Sequence, residues 1–193
     1  LFIRLWVPEP KRWASQVHER ANTATPGEMI RALFQGALCR HTLIGSALAG
    51  VAVWGVWSAT NWAPTLLRSL PELRGLEEAE VATQVGWAIV LMNLGAIPGY
   101  LCFGPLADRF GRRPIFALYC IGSLCFIPLT FLTAHTYAEV VWLLPALSFF
   151  TSGIFSGFPI YLPELYPTRL RAPGAGFCFN AGRVFAAGGP LVT

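Results

Sequence analysis

Residues 104–114 read GPLADRFGRRP, and the chain's only aspartate, Asp108, stands there beside Arg109, Arg112 and Arg113. Runs free of any charge flank this cluster, 82–103 before it and 114–132 after it. A membrane-crossing helix needs about 20 mostly apolar residues, which both runs supply. The cluster therefore reads as a short polar turn between two antiparallel membrane helices. Gly104 and Gly111 give the backbone freedom for a tight reversal. Asp108 can accept hydrogen bonds from the arginines or from a helix N-terminus. Arg112 and Arg113 suit anionic lipid headgroups and bias the topology.

Composition extends this reading to the whole chain. Of 193 residues, 54% are hydrophobic and only 12% are charged, whereas a soluble domain carries roughly 25% charged residues. So little charge cannot cover a water-facing surface, and lipid becomes the expected solvent. The net charge of +4 is spread in short clusters between apolar runs rather than in a stripe, which argues against nucleic acid as a partner. Cys39, Cys102, Cys120, Cys125 and Cys178 include no CxxC pair and read as small apolar packing residues. His18, His41 and His135 are equally dispersed, so neither a metal site nor a cofactor is expected.

The expected fold is all-α, a polytopic transmembrane helix bundle. Spans are expected at 42–66, 82–103, 114–132, 140–162 and 174–193, the last broken by Arg183 and incomplete. Leu1–Val7 reads as the tail of an earlier span, and the ends LFIRLWVPEP and GGPLVT lead us to expect a piece of a longer protein. The connections alternate in charge: 8–40 carries five basic residues, 67–81 mixes Arg68 and Arg74 with four glutamates, 104–113 carries three arginines, 133–139 none, and 163–173 Arg169 and Arg171. The positive-inside rule puts 8–40, 104–113 and 163–173 on the cytoplasmic side, and 41–193 then forms one bundle.

Within 8–40, Thr25 can cap a helix with Pro26 at its first position, and Met29, Leu33, Phe34 and Leu38 recur at helical spacing. This predicts a short amphipathic helix on the membrane face; a linker with a few apolar residues is the alternative. Small residues four apart, Ser46/Gly50, Gly95/Gly99 and Gly153/Gly157, predict close helix crossings. Pro98, Pro128 and Pro145/Pro159 predict interrupted spans, tolerated only beside protein or a hydrated cavity.

GPLADRFGRRP resembles the cytoplasmic loop signature of the major facilitator superfamily. In PELYPTRLRAPG, residues 163–174, Glu164 and Arg171 are separated by six residues, which resembles an E-x6-R element of its sugar-porter-like members. VPEPKRW, residues 7–13, resembles their Pro-Glu-Ser-Pro-Arg-Trp element, with the serine missing and the spacing slightly different. The order of the three elements implies the C-terminal half: the end of span 6, the central loop, and spans 7 to 11. The superfamily repeats its pattern, so an N-terminal half is the other assignment; the apolar LFIRLWV upstream of a basic loop favours the first.

The resemblance implies further properties. Gly104, Asp108, Arg109, Gly111, Arg112, Arg113, Glu164, Arg169 and Arg171 would form a cytoplasmic network that latches two halves together during alternating access. The partners implied are the N-terminal half, the lipid bilayer, a small-molecule substrate and a proton as coupling ion. A multi-pass location in a plasma membrane, bacterial inner membrane included, follows. No catalytic role is implied, and the His, Cys, Asp and Glu residues do not cluster as a membrane enzyme would need.

Candidate substrate contacts lie in two stretches. In GVWSATNWAPTLLR, residues 55–68, Thr60, Asn61 and Trp62 sit near the outer end of a span. Sugar porters carry an asparagine and paired tyrosines in a comparable stretch; tryptophans stand here instead, so a sugar is not specifically implied. Trp57 and Trp62 read equally as an interfacial aromatic belt. Arg183 lies nine residues past Gly174, about 13 Å into its span. A mid-membrane arginine is costly and faces a cavity or a partner, yet no expected span holds an acidic residue. Its partner is an anionic substrate or a carboxylate of the other half. GFCFNAGR, residues 176–183, resembles carboxylate and aromatic-acid proton symporters, which adds Asn180 and favours an organic anion over a sugar. A truncated, non-transporting module is the third reading.

Overall fold

The computed structural model describes residues 25–187; the expected end of span 6, the VPEPKRW element and residues 188–193 lie outside them. Seven helices follow in order: α1 Pro26–Leu33, α2 Gly36–Ser69, α3 Glu78–Phe110, α4 Arg112–Pro128, α5 Tyr137–Gly153, α6 Phe158–Glu164 and α7 Arg171–Ala187. Among the described residues there is no strand. Four stretches are long and apolar enough to cross a membrane: Gly36–Ser69, Glu78–Phe110, Arg112–Thr133 and Tyr137–Glu164. α7, which covers part of the stretch expected at 174–193, is described over 17 residues.

Local chemistry sets the helix ends. Thr25 and Glu28 form a capping box, with the Thr25 amide donating to Glu28 Oε2 at 2.7 Å. α1 stops at Leu33 rather than running on to Leu38, because Gly36 takes φ +54° and redirects the chain into α2. Leu38 therefore belongs to α2. α3, at 33 residues, is about 50 Å long against a hydrocarbon core of about 30 Å. Its end carries the first part of GPLADRFGRRP in helical form.

That corrects the expected role of Gly104. It lies inside α3, nothing approaches within 4 Å of where its Cβ would be, and only Gly111, at φ +92°, makes the turn. The prolines also divide differently. α3 runs unbroken through Pro98 and α5 through Pro145. The departures from α geometry are a π-type turn at Leu129–Thr133 after Pro128 and a 3-10 turn at Ile154–Gly157 before Pro159.

Two helix pairs dominate the packing, α3 with α5 and α2 with α7. Glycines allow both. Gly95 and Gly99 of α3 lie against the backbone of Pro145 and Phe149, and Gly50 of α2 lies against Gly182 of α7. One buried cluster gathers Phe103, Phe116, Tyr119 and Phe158. A second, involving α2, α3 and α5, gathers Ala63, Leu67, Val85 and Leu144. Meanwhile Leu101, Leu124 and Trp142 are exposed, which suits a surface solvated by lipid. The cysteines differ from expectation: only Cys178 is buried, whereas Cys102, Cys120 and Cys125 are exposed.

Candidate functional site

The charged cluster follows from the one-residue turn. Gly111 ends α3 and starts α4, so Asp108 and Arg112 stay four apart on nearly continuous helix and meet. Arg112 Nη1 lies 2.6 Å from Asp108 Oδ1. The same guanidinium also reaches Glu164, the last residue of α6: Nη2 is 2.9 Å from Oε1, and Nε is 3.3 Å from both carboxylate oxygens. Arg112 thus fastens the ends of α3, α4 and α6 together. The fork of an arginine suits two carboxylates at once, where lysine offers a point charge. The Arg112 side chain is only 27% exposed, against 73% for Asp108 and 50% for Glu164. Exposed ion pairs contribute about 0–1 kcal/mol each, so this cluster sets geometry more than it stabilises the bundle.

The geometry changes two expected roles. Arg112 does not turn to lipid headgroups, because its donors are committed to Asp108 and Glu164. Glu164, expected in a latch to the other half, pairs with Arg112 of this chain, and Arg171 Nε donates to the Tyr166 carbonyl at 3.4 Å. The Arg109 guanidinium lies 5.4 Å from the centre of the Phe110 ring. Arg109, Arg113 and Arg169 are exposed and make no ion pair among the described residues.

Close to this cluster in the chain is a buried polar node that sequence reasoning missed. Tyr166 Oη donates to Thr42 Oγ1 at 2.9 Å and lies 3.1 Å from Cys178 Sγ. Thr42 Oγ1 in turn stands 2.8 Å from the Leu33 carbonyl and 2.9 Å from that of Leu38, donating between them. The node joins α1, α2, α7 and the segment after α6. Gly174 makes room for it, since a Cβ there would come 2.6 Å from the Tyr166 ring. The legible signal was the glycine opposite an aromatic residue, which spacing alone does not reveal.

The expected substrate contacts do not gather at one point. Asn61 is exposed, Trp57 is half-buried and Trp62 is 48% exposed. Thr60 satisfies itself on the Val56 carbonyl at 2.8 Å. On α7, Asn180 donates to the Gly176 carbonyl at 2.8 Å, and Arg183 is exposed with no ion pair among the described residues. Ala172, Gly176, Asn180, Arg183 and Ala187 form one exposed row along α7. α2 and α7 run parallel, with Gly45 beside Cys178 and Gly50 beside Gly182. Asn61 therefore stands about 15 Å further along the helix axis than Arg183. A cavity of about 190 Å³ between α2, α4 and α5 is lined by Leu48, Val56, Leu124 and Thr151 among others, and holds none of these candidates. Among the described residues no three His, Cys, Asp or Glu side chains gather as metal ligands would.

Residues 80–193 match the family model of the Major Facilitator Superfamily. The chain is 30% identical, over 98% of its length, to the Cis,cis-muconate transport protein of Acinetobacter baylyi, of which it covers 45%. It is 28% identical over 84% of its length to the Niacin transporter NiaP of the same species, covering 35% of that protein. Against the Gallate transporter of Pseudomonas putida it is 30% identical over 71% of its length, covering 29%. The chain thus spans less than half the length of these relatives. No solved structure matches it.

Proposed function

The chain belongs to the major facilitator superfamily, and from that premise we propose that it is the C-terminal half of a carrier for a small organic anion. Its kinship is with transporters and not with enzymes, and its long apolar helices are those of a multi-pass membrane protein. The observation that carries the anion reading is Arg183. It is exposed on α7, about 18 Å from the start of that helix, and makes no ion pair among the described residues. A charge at such depth must face a hydrated pathway or a partner. The relatives' names, a muconate transport protein, a niacin transporter and a gallate transporter, support a carboxylate as that partner. Uptake by cells making the complete protein tests this. Accumulation of cis,cis-muconate, nicotinate or gallate is expected, and uptake of sugars alone would refute the anion assignment.

The carrier works by alternating access, two bundles rocking about a central site, in a plasma membrane. Coupling to protons needs a titratable group in the pathway, which falls to the N-terminal half. In this scheme GPLADRFGRRP faces the cytoplasm. Arg112 holds Asp108 and Glu164 within one half, and Arg109, Arg113, Arg169 and Arg171 remain to meet the other half in the outward-open state. Asp108→Asn keeps the shape and removes the charge, so it biases the equilibrium between states rather than the fold. The full-length variant should express at wild-type level and transport about tenfold more slowly, a shift of about 1.4 kcal/mol between states. Wild-type uptake by Asp108→Asn would remove the latch role.

A further inference from the structure

α1 presents three sides, and only one of them is used inside the bundle. Leu33 is fully buried, and Met29, one turn earlier, packs against the same cluster. Ile30 and Phe34 lie four apart on a second side and remain 48% and 42% exposed. Glu28 and Arg31 occupy the third side, and both are exposed. Glu28 is engaged in the capping box with Thr25, whereas Arg31 makes no ion pair among the described residues.

The contacts at the end of α1 fix how deep this surface lies. Thr42 Oγ1 donates to the Leu33 carbonyl at 2.8 Å, and Thr42 opens the charge-free run 42–66. The C-terminal end of α1 is thus level with the edge of the hydrocarbon core. The Phe34 ring meets Phe177 edge to face, with centres 5.3 Å apart. Phe177 stands six residues past Arg171, about 9 Å further along α7, where charged residues have given way to apolar ones. It also lies roughly a quarter turn round α7 from the row of Gly176, Asn180 and Arg183, so Phe34 covers a different side of that helix. Only Phe34 and Gln35 separate α1 from α2, which keeps α1 at the membrane surface.

At this level lipid is the partner that the exposed side suits. Ile30 and Phe34 are disfavoured against water, whereas acyl chains accept them. The charges point the same way. Arg31, Arg40, Arg169 and Arg171 are exposed and make no ion pair among the described residues. The acids of this end, Glu28, Asp108 and Glu164, are taken up by the capping box and by Arg112. We propose that α1 is an interfacial anchor for anionic phospholipid. Ile30 and Phe34 enter the acyl-chain region, and Arg31 binds a lipid phosphate, which a guanidinium grips with two hydrogen bonds. This goes beyond the transport reading and does not depend on the solute.

The test uses the full-length protein with the photoreactive residue p-benzoylphenylalanine in place of Ile30, and separately in place of Phe34 or Trp142. Each protein is reconstituted in bilayers of equal parts phosphatidylglycerol and phosphatidylcholine and irradiated, and its adducts are read by mass spectrometry. Positions 30 and 34 should yield phospholipid adducts. At position 30, phosphatidylglycerol should exceed phosphatidylcholine about fivefold relative to position 142, the factor that one arginine beside an anionic surface supplies. Arg31→Gln should erase that excess, whereas Arg31→Lys, which keeps the charge, should retain most of it. Adducts to protein in place of lipid at both positions would overturn the proposal, because the other half would then cover this face. An equal lipid ratio at positions 30 and 142 would overturn the anionic recognition. No solute enters the measurement, so it succeeds or fails separately from the transport reading.

Discussion

Gly99→Leu should leave little folded protein. A Cβ at Gly99 would run into the Phe149 carbonyl, and the obstacle is backbone, which cannot rotate aside as a side chain can. Gly95, one turn earlier, faces the Pro145 backbone in the same manner. The crossing also involves α4, because Tyr119 Oη donates to the Gly99 carbonyl at 2.9 Å and its ring is fully buried. Membrane helices gain little from the hydrophobic effect once inserted, so close packing of this kind holds them together. Overpacking ordinarily costs 1–3 kcal/mol, and separating α3 from α5 also strains the buried tyrosine bond, worth about 1 kcal/mol. We expect a loss of about 3 kcal/mol or more. In the full-length protein it would read as a vanished monodisperse peak in detergent chromatography. Gly55→Ala, where nothing lies within 4 Å, should leave that peak unchanged. A Gly99→Leu variant that behaves like wild type would mean the two helices do not approach this closely.

Much of this was legible beforehand, for identifiable reasons. Charge-free runs mark the cores of the long helices, since lipid admits little else. Small residues four apart mark the crossings at Gly50, Gly95, Gly99 and Gly153, since a missing Cβ lets two helices touch closely. Helix ends were harder. A span read from hydropathy stops at the first charge, but backbone hydrogen bonding does not, so α3 carries Gly104 and Asp108 well past Phe103. α1 ended early because Gly36 adopts a positive φ, which composition does not reveal.

Pairing across long separations was the least legible. Nothing in GPLADRFGRRP specifies that Arg112 will find Glu164, 52 residues on, or that Arg171 will turn to a backbone carbonyl. The node of Thr42, Tyr166 and Cys178 joins residues up to 136 apart.

The other large effect is expected at Arg183. A guanidinium gives a carboxylate two parallel hydrogen bonds, whereas an ammonium gives a single point contact. Removing one member of a desolvated charge pair costs about 2–5 kcal/mol, which is at least about thirtyfold in affinity. Arg183→Gln should therefore abolish uptake of the organic anion, and Arg183→Lys should weaken it at least tenfold. Neither change should alter the melting of the full-length protein, because the side chain makes no ion pair among the described residues. A structural pair with a carboxylate of the other half predicts the reverse pattern, with stability lost and affinity kept.

Calorimetric titration of cis,cis-muconate, nicotinate and gallate into the purified full-length protein, wild type against Arg183→Gln, separates the two. The account predicts that the wild type binds at least one of these anions and that Arg183→Gln binds none while melting at the same temperature. Binding by Arg183→Gln as tight as that of the wild type would contradict it.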